Sequence, residues 1–138
     1  MFNRYNSKNN HKNKQIKQMK TDLVEIFQTI RAGVQPYASR GYTVRENSET
    51  GYDLYSDKNI ETSSGKITER FFVGIYIKGN EVIVQVNTNE FEPSNHDLSD
   101  FDEDRKGLKI KALDNNKLKE VQTLIEIIHT HFKEKEWI

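Results

Sequence analysis

The stretch 69–87 constrains this chain more than any other. It reads Glu-Arg-Phe-Phe-Val-Gly-Ile-Tyr-Ile, then Lys-Gly-Asn, then Glu-Val-Ile-Val-Gln-Val-Asn. In the second arm Val82, Val84 and Val86 fall on one side and Ile83 and Gln85 on the other, the two-residue period of a strand. In the first arm alternation puts Phe71, Val73, Ile75 and Ile77 on one face and Phe72, Gly74 and Tyr76 on the opposite one. Both faces of that arm are apolar, so it is expected at the centre of a sheet with a layer packed on each side. Lys78-Gly79-Asn80 reads as the loop of a hairpin, with Gly79 free to take positive φ. A two-stranded hairpin alone is marginal in water, so the flanking segments must extend and cover it.

Those segments supply the remaining elements. Thr21 or Asp22 can cap a helix, and Asp22 with Glu25 has the spacing of a capping box. Leu23, Ile26, Phe27, Ile30, Val34 and Tyr37 recur at steps of three and four, giving one apolar stripe. Gly33 and Pro36 predict that this helix ends or kinks near Val34. Tyr42-Thr43-Val44-Arg45 and Tyr52-Asp53-Leu54-Tyr55 read as short strands around a turn at 47–51. The polar stretch 57–66, with Ser63-Ser64-Gly65, reads as an exposed loop. Leu108-Lys109-Ile110-Lys111-Ala112 reads as an edge strand whose lysines discourage pairing with a second sheet. Asp114 or Asn115 then caps a helix carrying Leu118, Val121, Ile125, Ile128 and Phe132 on its apolar side, with Leu124 and Ile127 widening the stripe, and Trp137 and Ile138 are expected to fold back on the core. The predicted fold is α+β: an antiparallel four- to five-stranded meander sheet flanked by an N-terminal and a C-terminal helix. Residues 19–138 form a single domain, since 138 residues leave no room for a second core.

Charge divides the chain unevenly. The formal net charge is zero. Residues 1–20 nonetheless carry six Lys and Arg and no acid, leaving 15 basic against 21 acidic residues in the remainder. Residues 1–18, rich in Asn and poor in apolar side chains, are expected to be a disordered basic tail. Arg4, Tyr5, Lys8, Lys12, Lys14 and Lys17 are its candidate nucleic-acid contacts, cations for phosphate and a ring for base stacking. A solubilising tail without a specific partner is the competing interpretation. Met19-Lys20-Thr21-Asp22-Leu23 runs directly into the first helix, which makes Met19 a second candidate start.

The densest candidate site is acidic. Between residues 90 and 104 stand Glu90, Glu92, Asp97, Asp100, Asp102, Glu103 and Asp104, with His96 and no basic residue. Asp100-x-Asp102-x-Asp104 has the spacing of the first three ligands of a calcium loop. Arg105 stands where that loop needs glycine and Lys111 where it needs a bidentate glutamate, which excludes a regular EF-hand. His96, Asp97, Asp100, Asp102 and Asp104 remain a candidate oxygen-rich site for a hard divalent cation, against a solvated charged loop. His129 and His131, two apart on a helix, cannot share a metal and are expected at surface or boundary positions.

The chain has no cysteine, which excludes a disulfide framework, a thiol nucleophile and a Cys-ligated metal. Ser64-Gly65-Lys66 is not a phosphate loop, because Ile60 replaces its first glycine and Ile67 its hydroxyl. No nucleophile elbow, zinc-protease motif or dinucleotide turn is present, and the sequence predicts no enzyme and assigns no cofactor. The aromatic set Tyr37, Tyr42, Tyr52, Tyr55, Phe71, Phe72 and Tyr76 is expected to be mostly core, with Tyr52 and Tyr55 on opposite faces of one strand. An exposed aromatic row on the sheet would anchor a partner. No apolar run resembles a signal peptide or approaches the ~20 residues of a membrane span, so a cytoplasmic protein without membrane contact is expected.

Leu23-Val24-Glu25-Ile26-Phe27, Val34-Gln35-Pro36-Tyr37, Phe71-Phe72-Val73-Gly74-Ile75, the run from Lys106 to Asp114 and the ending Phe132-Lys133-Glu134-Lys135-Glu136-Trp137-Ile138 together resemble the YdhG-like family of small bacterial domains, some labelled iron chaperones or frataxin-like. The resemblance spans about 119 residues and implies the α+β fold already derived. Members usually carry an aromatic-proline segment after the central hairpin, where this chain has its acidic loop. The leading functional expectation is a small non-catalytic binding module with a protein partner. The alternatives are a weak divalent-metal or iron carrier using the acidic loop, and a small mobile-element inhibitor with a nucleic-acid-binding tail.

Overall fold

The structure, a computed structural model, describes residues 19–67, 69–87 and 107–138. The order is α1 (Leu23–Val34), a 3-10 turn (Gln35–Arg40), β1 (Thr43–Asn47), β2 (Gly51–Ser56), β3 (Ile60–Thr62), β4 (Gly65–Ile67), β5 (Arg70–Lys78), β6 (Glu81–Val86), β7 (Leu108–Ile110) and α2 (Asn115–Glu134). Five strands make one antiparallel sheet in the order β1-β2-β5-β6-β7, and β3 and β4 form a separate two-stranded hairpin. The predicted α+β meander with flanking helices is the observed architecture.

Several local expectations hold in detail. β5 and β6 pair from Val73↔Val86 to Lys78↔Glu81 around Gly79, whose φ is 62°. α1 ends at Val34, and Pro36 enters the 3-10 turn at its start, where the missing N–H costs no hydrogen bond. The Asp114 side chain accepts from the Lys117 amide at 2.8 Å and caps α2. Trp137 folds back and is 5% exposed. The reversal that brings it back is a C-terminal motif in which Trp137 N–H donates to Phe132 C=O at 2.8 Å, with Glu136 in the left-handed region at φ 59°.

Three expectations are corrected. Asp22 precedes α1 but makes no side-chain cap, and Glu25 pairs instead with Lys20 at 3.4 Å. The stretch 57–66 is not all loop: Ile60↔Ile67, Glu61↔Lys66 and Thr62↔Gly65 pair as a hairpin whose turn is relieved by Gly65 at φ 131°. Three-residue strands are too short for alternation to announce them.

The third correction is structural. Alternation assigns Phe71 to the same face as Val73, but Tyr55 pairs with Phe71 while its neighbour Leu54 pairs with Val73, leaving Phe72 as an extra residue in β5. This bulge sends Phe72 and Val73, consecutive in sequence, into one core, where both are fully buried. Phe72 stacks on Tyr42 at 4.0 Å and meets Phe132 edge-on at 5.4 Å. Phe71 is turned to the opposite face. Both helices bury their apolar sides on the face with Tyr52, Leu54, Val73, Ile75, Val82 and Val84. The expected layer on each side of β5 is therefore one layer of two helices, and among the described residues the other face carries no helix.

Candidate functional site

The open face is built around a buried carboxylate. Asp53 lies opposite Gly74 in the β2–β5 pairing and is 6% exposed, although among the described residues no helix covers it. Both its oxygens are used: Oδ1 accepts from the Glu46 amide at 2.8 Å, and Oδ2 accepts from the Tyr76 hydroxyl at 2.8 Å. The Tyr76 ring reaches Asp53 by lying back across Gly74, where a Cβ would overlap the phenol. Burial first, then the hydrogen bond to Asp53, pushes the Tyr76 phenol above its ordinary range. Beside this device Tyr55 and Phe71 meet edge-to-face at 5.3 Å, and both are half-buried. Their rim is charged, with Arg45 bonding Asp57 at 2.6 Å and Glu69 at 3.0 Å. Glu46 adds a third carboxylate against Gly51.

A second cluster lies on the helix-covered side, where the 3-10 turn meets α2. The Tyr37 hydroxyl donates to Glu126 Oε2, and Arg40 Nη1 reaches the same oxygen at 3.2 Å. The Arg40 guanidinium also sits 4.7 Å over the Tyr37 ring. The Tyr37 hydrogen bond, helped by Arg40, holds the Glu126 carboxyl below its usual range. Deeper in, Tyr42 Oη lies 2.8 Å from His129 Nδ1. Burial pushes the Tyr42 phenol up and the His129 imidazolium down, so both groups are neutral at pH 7 and share one hydrogen bond. His129 is buried rather than at the surface or boundary position its sequence suggests. Its place is dictated by Phe72, Tyr37 and Tyr42, whose rings lie 6.2, 5.3 and 5.6 Å from it.

The metal candidates His96, Asp97, Asp100, Asp102 and Asp104 and the nucleic-acid candidates Arg4, Tyr5, Lys8, Lys12, Lys14 and Lys17 lie outside the described residues. Among the described residues no three His, Asp or Glu side chains come together to hold a metal ion, and no helix is long and apolar enough to cross a membrane. The aromatic set divides: Tyr37, Tyr42, Tyr52 and Phe72 are core, whereas Tyr55, Phe71 and Tyr76 are half-buried on the open face. Sequence reasoning missed Asp53 and Glu126 altogether. An acid between Tyr52 and Leu54 was the visible signal for the first, and Glu126 reads as one more exposed helical acid.

The fold and these two clusters define an α+β domain with one sheet face sealed by helices and, among the described residues, the other left to aromatic and charged side chains. Comparison with family models, with curated proteins and with solved structures finds no match.

Proposed function

We propose that this chain is a non-catalytic binding module whose open sheet face engages a protein. The observation that supports this reading is the half-buried Tyr55–Phe71 pair on a face that carries no helix among the described residues, rimmed by Asp57, Glu69 and Glu46 and by Arg45. Aromatic side chains at the centre of a patch with charge at its rim are the usual anchors of a protein interface. Asp57, Glu69 and Glu46 outnumber Arg45 and Lys78, the latter 5.3 Å over the Tyr76 ring, which favours a partner that presents lysine or arginine around an apolar centre. The Asp53–Tyr76 hydrogen bond ties β2 to β5 beside that patch, on the same two strands that carry the aromatic pair.

The test is quantitative affinity capture from nuclease-treated lysate of the source cells, comparing wild type, Tyr55→Ser/Phe71→Ser and a chain beginning at Met19. Circular dichroism and thermal melting establish that each variant is folded. A partner held by wild type and by the shortened chain, lost from the double variant and released by salt, is the expected result. Equal retention by the folded double variant overturns the assignment of this face. Retention only by chains that include residues 1–18 moves recognition to the basic tail.

A further inference from the structure

Phe71 and Phe72 are consecutive but face opposite sides of the sheet, so the bulge in β5 is where the buried aromatic cluster and the open face meet. It is held from two directions. At the end of β6, the Asn87 amide donates to Phe72 C=O at 3.1 Å and the Asn87 side chain donates to Phe71 C=O at 2.8 Å. From the core, the Tyr42 ring stacks on Phe72 at 4.0 Å with 8° between the planes, and Phe132 meets both rings. Tyr42 is held in turn by His129, whose Nδ1 lies 2.8 Å from its hydroxyl oxygen. One chain of contacts therefore runs from His129 through Tyr42 and Phe72 to Phe71, which meets Tyr55 edge-to-face.

His129 is the end of that chain that can change charge near neutral pH. Its ring is 6% exposed and lies among those of Tyr37, Tyr42 and Phe72. Beside it opens a groove of about 530 Å³, bordered by Arg40 from the 3-10 turn, by Glu126 and Lys133 from α2, and by the α-carboxyl of Ile138. Those four charges balance. The remaining titratable neighbours, the Tyr37 and Tyr42 phenols, are raised above their ordinary value and neutral at pH 7. An imidazolium has no acceptor nitrogen, and its charge is costly to hold among buried rings. The groove offers it water and two carboxylates.

We propose that His129 is a proton-operated switch for the open face: protonation turns its ring from Tyr42 into the groove, frees the Tyr42–Phe72 stack and loosens the bulge that sets Phe71 beside Tyr55. A bulge is a two-state element, because closing it slips the pairing by one residue and brings Phe72 opposite Tyr55. Burial already holds the His129 pKa below 6.5, so the switch acts in mildly acidic solution. Its functional meaning rests on the binding role proposed for that face.

Amide and aromatic spectra of the full chain, followed from about pH 7.5 to about pH 5, test the coupling. The Phe71 and Tyr55 amides are expected to move with the midpoint read on the His129 ring itself, while the Gly79 amide at the other end of β5 stays in place. In His129→Gln that component should vanish. In Phe72→Leu, which keeps an apolar side chain but removes the ring on which Tyr42 stacks, His129 should still titrate and Phe71 should no longer follow it. Thermal melting establishes that both variants are folded. A Phe71 response that persists unchanged in folded His129→Gln belongs to Asp57 and Glu69 at the rim and overturns the proposal. So does a wild-type His129 titration that leaves Phe71 and Tyr55 unmoved. These measurements use no partner, so their failure is distinct from failure of the affinity capture that tests the binding role.

Discussion

The two faces of the sheet are stabilised by different physics. On the helix side Tyr52, Leu54, Phe72, Val73, Ile75, Val82 and Val84 are removed from water beneath α1 and α2, and the gain grows with the apolar area buried. On the open side burial depends on one hydrogen-bonded device, in which Tyr76 crosses Gly74 to Asp53. The first face is redundant, because many side chains share the load. The second depends on geometry, because an unpaired buried carboxylate costs far more than an average contact gains. Among the described residues no helix covers that face, where Tyr55 and Phe71 stay half-buried.

This contrast can be broken from either side. The largest loss is expected at the bulge: Phe72→Ala empties a fully buried ring site and should cost about 3–5 kcal/mol in denaturant unfolding. On the open face Gly74→Ala forces Tyr76 off Asp53 and should cost about 1–3 kcal/mol. Tyr76→Phe should cost a similar amount by leaving the same carboxylate oxygen without its donor. Because both act through one contact, the double variant should lose clearly less than the sum of the two. Fully additive losses would mean that the Gly74 effect does not run through Tyr76.

Smaller effects sharpen the comparison. Asp114→Ala removes the cap that bonds the Lys117 amide and should cost about 1 kcal/mol. Asp22→Ala, at a cap position with no side-chain hydrogen bond, should change stability by less than about 0.5 kcal/mol. Titration opens two further windows. Burial lowers the His129 pKa in the fold from 6.5, so below that value the unfolded chain binds more protons than the folded one. Stability should therefore fall as pH drops from 6.5, and His129→Gln should remove that part of the slope while Tyr76→Phe retains it. At the other extreme Tyr37, Tyr42 and Tyr76 have phenols raised above the ordinary value of 10.0, so stability should fall as pH rises beyond it. Thermal melts across both ranges read the two windows.

What the sequence determined on its own is local. The three- and four-residue spacing of α1 and α2, the alternation of β6, Gly79 between two strands and Asp114 before an apolar stripe each concern residues within a few positions of one another. Their physics is complete at that range, so they were legible. What only the tertiary structure decided joins distant residues. Tyr37 meets Glu126 across 89 positions and Tyr42 meets His129 across 87, and no spacing rule connects partners so far apart. The Phe72 bulge belongs to the same class. A strand's alternation assumes one residue opposite one residue, and β2 breaks that match only because Tyr55 and Leu54 are placed by the rest of the sheet. That single extra residue turns Phe71 outward and Phe72 inward, and so decides which aromatic ring is core and which is surface.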